Sequence, residues 1–181
     1  AEMLVVIVGT VVFYGPLAGP VAAALRLSNL SPQGVLFVGA HSWARRMARE
    51  LNKLGIAVLL VDSNRHNITQ AHNEGLPAEE GNVFSEEFLE SLDLSEIGHA
   101  VAMTGNDEVN AFARDALANF IERAEIYHLM PAEQEGNPYG ESARKMNPLF
   151  SDKATFENLA QRFRSGAKLK TATLRENFGM A

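Results

Sequence analysis

The 181-residue sequence contains no cysteine, which excludes disulfides and thiolate-ligated metal sites and fits a reducing compartment. It also lacks a basic excess: 16 Lys and Arg stand against 22 Asp and Glu, a formal net charge of -6. A chain of that sign is not a general nucleic-acid binder. The H-E-x-x-H, G-x-S-x-G and P-loop patterns are missing, and with them the common signatures of zinc hydrolases, serine hydrolases and P-loop enzymes. Histidine is sparse. His66 and His72 stand six apart on one expected helix, the wrong spacing for paired ligands on one face. His128 falls at an expected strand end, where a general base is one reading and a packed or capping histidine the other. No internal repeat or low-complexity segment is present, and 46% hydrophobic with 21% charged residues is an ordinary globular composition.

Charge is also absent, locally, from residues 3–25, "MLVVIVGTVVFYGPLAGPVAAAL". As a helix this run would extend about 34 Å, enough to cross a hydrocarbon core of roughly 30 Å. Gly15 and Gly19 give a G-x-x-x-G spacing, with Pro16 and Pro20 beside them, a combination that neighbouring membrane helices tolerate. A signal peptide would need a basic start, and Glu2 precedes the run instead. A buried helix of a water-soluble domain, ended by glycine and proline near Tyr14, is the duller alternative. The favoured expectation for residues 1–27 is the last membrane span of a truncated transporter. Arg26 follows the run, with Arg45, Arg46, Arg49 and Lys53 beyond, which puts the carboxyl side in the cytoplasm of an inner or plasma membrane protein.

Residues 28–34, "SNLSPQG", read as a linker, and beyond them short apolar runs alternate with amphipathic ones. Strands are expected at 35–38, 57–61, 76–79, 100–103 and 125–129, with helices at 43–54, 64–73, 86–92 and 107–122. That alternation predicts an α/β fold, a Rossmann-like parallel sheet with helices on both faces, over residues 35–140. In the last of these helices Val109, Phe112, Ala113, Ala116, Leu117 and Phe120 recur at the helical period, a core stripe or, on its wide apolar face, a subunit contact. Residues 131–150 are polar and carry prolines at 131, 138 and 148. Residues 141–181 are expected to form a short α+β tail: a helix at 156–164 capped by Thr155, then a strand in "AKLKTATL".

The chemistry-bearing stretch is "VLFVGAHSWARRMAREL", residues 35–51. Strand, glycine and helix follow one another as at a dinucleotide-binding turn, whose fingerprint is G-x-G-x-x-G. Its three glycines serve a tight turn, close backbone approach to a pyrophosphate, and close helix–strand packing. Gly39 keeps the first role and Ala44 nearly keeps the third, while His41 puts a side chain where the second needs bare backbone. A histidine in that place, with Arg45 in the first helical turn, offers donors to a phosphate, and the helix start is itself an anion site. Asp62 ends the second strand about 20 residues downstream, where the fold places the carboxylate that binds ribose hydroxyls. It is also turn chemistry, as "DSN" shows. Gly81 and Asn82 follow the third strand. Thr104, Gly105 and Asn106 follow the fourth, where Asn106 reads equally well as a helix cap.

The segments "VLFVGAHSWARRMARELNKLGIAVLLVDSNRHNITQAHNEG", "EEGNVFSEEFLESLDL" and "HAVAMTGNDEVNAFARDAL" together resemble the RCK (TrkA-N) family, over about residues 34 to 130. These are cytoplasmic nucleotide-binding regulatory domains of potassium channels and cation transporters. The apolar run and the "FENLAQRFRSGAKLKTATL" tail look more specifically like sodium (potassium)/proton antiporters that carry such a domain after their last membrane helix. The resemblance implies a non-enzymatic regulator whose ligand is NAD(H) or an adenine mononucleotide (AMP, ADP or ATP). It implies partnership with the transporter's own membrane domain, and a homodimer. It places nucleotide contacts at Gly39, His41, Ala44, Asp62, Asn82 and Thr104. His41 departs from the family's second glycine, and Asn82 from the acidic residue usual after the third-strand glycine. A ligand-free dimerisation module and a small NAD-dependent oxidoreductase are the competing readings.

Overall fold

The computed structural model describes residues 32–122, 125–132, 147–151 and 153–169. The apolar run at residues 3–25 lies outside them. Among the described residues no helix is long and apolar enough to cross a membrane. The order is β1 (Gly34–Val38), α1 (Ser42–Lys53), β2 (Val58–Asp62), α2 (Arg65–Asn73), β3 (Ala78–Glu80), α3 (Glu86–Ser91), β4 (Ile97–Ala102), α4 (Asp107–Leu117), β5 (Ile126–His128), β6 (Asn147–Pro148) and α5 (Phe156–Arg164).

The strands form one six-stranded sheet in the order β3-β2-β1-β4-β5-β6, and every pairing is parallel. That is the Rossmann order, in which the chain direction across the sheet reverses between β1 and β4. Side chains of a strand alternate between faces. Phe37, Val58 and Leu60 therefore enter one core with Trp43, Ala44 and Ala48 of α1 and Ile68 and Ala71 of α2. Leu36, Val38 and Val61 enter the other, with Leu89 of α3 and Ala113 and Leu117 of α4. Both faces are covered, which is why the strands read as nearly unbroken apolar runs.

Among the described residues, all five helices begin on a side chain that caps a free backbone N–H. In α2, α3, α4 and α5 it is Asn64, Ser85, Asn106 and Thr155, residue types that each stabilise a helix start by about 1 kcal/mol. In α1 the cap is His41.

Three expectations need correction. Helix α4 stops at Leu117 rather than 122: Phe120 N–H bonds the Leu117 carbonyl, a tightened last turn, while Phe120 and Ile121 still reach the core. The apolar stripe thus outlasts the helix. Next, β6 lies inside the stretch expected as a polar connection, pairing Tyr127 with Asn147 and His128 with Pro148. Finally, residues 167–169 of the expected tail strand carry no regular structure, and its remainder lies outside the described residues. Helix α5 is present with Thr155 as its cap, and its Phe156, Leu159, Ala160 and Phe163 pack on the core that holds α1 and α2.

Candidate functional site

At the carboxyl ends of β1, β2 and β4 the sheet opens into a cleft of about 570 Å³, within the roughly 300–1,000 Å³ usual for small-molecule sites. This is the switch point, where open α/β sheets bind ligands. Gly39, His41, Asp62, Asn82 and Thr104 line it, as do Asn106 and Phe156. Ala44 and Arg45 do not.

Gly39 has φ +111°, and a Cβ there would stand 3.3 Å from the Met103 carbonyl oxygen. Only glycine fits that backbone without strain. Its N–H bonds the Val61 carbonyl at 2.7 Å. The next N–H, of Ala40, donates to Asp62 Oδ2 at 2.8 Å. Asp62 also accepts from Asn67 Nδ2 at 2.9 Å on Oδ2 and from Asn64 N–H at 2.8 Å on Oδ1. The carboxylate therefore splints the β1–α1 turn to the β2–α2 turn. A carboxylate offers about four acceptor positions, so with these three filled, one on Oδ1 stays open.

His41 is bound at both ring nitrogens. Nε2–H donates to the Met103 carbonyl at 2.7 Å, and Nδ1 accepts from Ala44 N–H at 3.3 Å. Those two partners fix one neutral tautomer, because a carbonyl only accepts and an amide N–H only donates. Burial, the largest cause, lowers the pKa of the ring below 6.5; Arg45 lowers it further, while the Met103 carbonyl and Asp62 oppose the shift. The ring sits 4.2 Å from the Trp43 ring and meets the Phe156 ring edge-on at 5.1 Å, centroid to centroid. Trp43 in turn stacks on Phe163 at 5.6 Å. An aromatic wall from α1 and α5 thus stands at the helix start, where the fingerprint places a pyrophosphate.

Arg45 is buried and faces elsewhere. Its Nη1 donates to the Ala40 carbonyl at 2.7 Å and its Nε to Glu74 Oε1 at 2.9 Å, and Arg49 also pairs with Glu74. It braces the turn and ties α1 to the end of α2. Ala44 is fully buried in the helix–sheet contact, the place of the third fingerprint glycine.

Asn82 accepts from Phe84 N–H through Oδ1, and Asn106 from Glu108 and Val109 N–H. Each side-chain oxygen is held by its own turn, which leaves the NH₂ of each of these two cleft-lining residues outside those bonds. The Thr104 hydroxyl is engaged with Asn106 and with Asn110 Oδ1. Asn110, 1% exposed, also bonds both the N–H and the carbonyl of Thr104 and so fixes the β4–α4 turn. An asparagine interrupting an apolar stripe was the sequence signal for that role. Phe156 gave none, since the wall exists only once α5 folds back. His128 is buried at the end of β5, bonded through Nδ1–H to the Leu129 carbonyl, and lies off the cleft walls. His72 bonds the Ala78 carbonyl.

Residues 35–135 match the family model of the TrkA-N domain. No curated protein sequence matches the chain. Among solved structures, the chain is similar to the NAD(P)-binding domain of an exopolyphosphatase-related protein from Archaeoglobus fulgidus, at 19% identity, TM-score 0.54, over 74% of this chain and 98% of that one. It is similar to the TrkA-N domain of the inner membrane protein ybaL from Escherichia coli, at 18% identity, TM-score 0.52, over 74% and 94%. It is also similar to the GsuK channel bound to NAD, at 17% identity and TM-score 0.52, over 81% of this chain but 27% of that one. At these identities the likeness is one of fold.

Proposed function

The chain belongs to the TrkA-N domain family, and on that premise we propose that it is the nucleotide-sensing regulatory domain of a monovalent cation/proton antiporter. Its ligand in this reading is NAD(H) or an adenine nucleotide. The observation that carries it is the cleft at the β1/β4 switch point with Asp62 at the end of β2, one carboxylate position open. Two solved relatives in fold support the ligand class, one titled an NAD(P)-binding domain and one a channel bound to NAD. The charge-free run at residues 3–25 supports a place on the cytoplasmic side of a membrane.

The reading is of binding rather than turnover. Asp62 and His41 are the titratable groups on the cleft walls among the described residues, and both are committed to hydrogen bonds that hold turns together. Regulation would arise by differential affinity: a ligand that prefers one arrangement of the domain shifts the transporter toward it. About 1.4 kcal/mol of such preference is a tenfold shift.

The test is calorimetric titration of the full chain with NAD, NADH, AMP, ADP and ATP, beside Asp62→Asn, which removes the charge and turns one acceptor oxygen into a donor, with the variant's folding checked by its urea midpoint. Saturable binding, at least tenfold weaker in the variant, is the expected outcome. Silence across the panel from a folded protein overturns the reading. A second reading, a dimerising module of the same transporter, is favoured by Phe84 and Phe112. They are 47% and 44% exposed on one depression beside the cleft, and sedimentation of Phe112→Glu against wild type tests it.

A further inference from the structure

The cleft is divided by charge. On its walls Asp62 is the one formally charged side chain among the described residues, and His41 is held neutral by its two partners. The cations of the region lie beyond the His41–Phe156 wall, where Arg46 and Arg164 line a separate groove of about 240 Å³ between α1 and α5. Phosphate recognition at this turn uses bare backbone at the second fingerprint position and free N–H groups at the helix start, and positive charge nearby strengthens it. The His41 ring occupies the first. Its Nδ1 takes one of the second, the Ala44 N–H. Arg45, the nearest cation in sequence, is turned to the Ala40 carbonyl and Glu74. Phe156 closes the wall from the other side, packed so near Gly105 that a Cβ there would lie 3.3 Å from its ring.

The opposite end of the cleft keeps everything a ribose and base require. Asp62 Oδ1 has an open acceptor position for a ribose hydroxyl. Asn82 and Asn106 line it with NH₂ groups that their own turns do not use, and Phe84 and Val109 line it with apolar side chains. Resting on the nucleotide-sensing reading and narrowing its ligand, we infer that this cleft recognises only the ribonucleoside part of its ligand, and that the His41–Phe156 wall keeps any phosphate chain from the start of α1, leaving it unrecognised. The bare nucleoside then binds as well as its phosphorylated forms, because the His41 and Phe156 rings stand between the cleft and the arginines beyond, and phosphates on the cleft side meet the field of Asp62.

The experiment is calorimetry of the full chain with adenosine, AMP, ADP and NAD at low and at moderate salt. The expected result is adenosine affinity equal to or tighter than that of AMP and ADP, and insensitive to salt. Phosphorylated ligands that bind at least tenfold tighter than adenosine and weaken with salt would overturn the inference, while the nucleotide-sensing reading would stand. Failure of all four ligands overturns both. The double variant His41→Gly/Phe156→Ala is expected to bring AMP and ADP at least tenfold above adenosine. A folded double variant whose order stays that of wild type would show that the wall is not what leaves phosphate unrecognised. The wild-type comparison decides the matter even where the variant does not fold.

Discussion

Two ends of one crevice treat the same fingerprint differently. At the β2 end, Gly39 and Asp62 keep the turn in full: the glycine in a conformation others avoid, the carboxylate drawing in N–H groups from two loops. At the α1 end, a histidine ring, a tryptophan and a phenylalanine from a distant helix fill the place of a pyrophosphate. The contrast teaches that the two halves of the motif are held by different forces. The first half is needed by the fold itself, since without Asp62 the N–H of the buried Ala40 would lose its partner. The second half serves only a ligand, so it is free to be rebuilt.

The harshest way to break this comparison is Asp62→Ala. It removes three hydrogen bonds to a carboxylate, and a loss of about 3 kcal/mol is expected, read from the urea midpoint; a change below about 1 kcal/mol would mean the carboxylate serves a ligand and not the turn. Next comes Gly39→Ala, expected to cost about 2 kcal/mol through backbone strain and contact with Met103. At the other end, Phe156→Ala is expected to cost about 1.5 kcal/mol, less than a fully buried phenylalanine, because Phe156 is only partly buried. The same variant has an optical readout. Trp43 is the single tryptophan of the sequence, 3% exposed and boxed in by His41, Phe156 and Phe163. Its emission should shift to the red in Phe156→Ala, and an unmoved spectrum would contradict the wall as described.

The smallest effect concerns pH. His41 has a folded pKa below its unfolded 6.5, chiefly through burial, so the unfolded chain binds more protons between the two values. Stability therefore falls as pH drops from 6.5 toward the folded pKa and is fully regained above 6.5. In His41→Asn, which retains a capping side chain, that slope should vanish. Urea midpoints at pH 7.5 and 5.5, variant against wild type, measure it; equal slopes would mean His41 is not held neutral.

What the sequence revealed divides along the same line. The alternation of strand and helix was legible because each buried face imposes its own period, and Phe37 and Leu36 point to opposite cores as period two requires. Gly39 and Asp62 were legible because their roles are local to two turns. His41 was visible as a departure, but its meaning was not: the Met103 carbonyl that binds it follows β4, and the ring that flanks it belongs to α5. Arg45 looked like a phosphate ligand by its position in the first turn, and only the packing of α2 brings Glu74 to it. β6 was hidden because two residues, one of them proline, set no period at all.

The wall also gives the crevice a history. Phe156 follows His41 by roughly 115 residues, and at about 5–20 residues per second the ribosome delivers it on the order of ten seconds later. Until then the start of α1 can be bounded by His41 but not by Phe156, which comes after every strand of the sheet. The crevice thus takes its final boundary only with the last of the described elements to be made, so a chain cut short before α5 would lack one side of the wall.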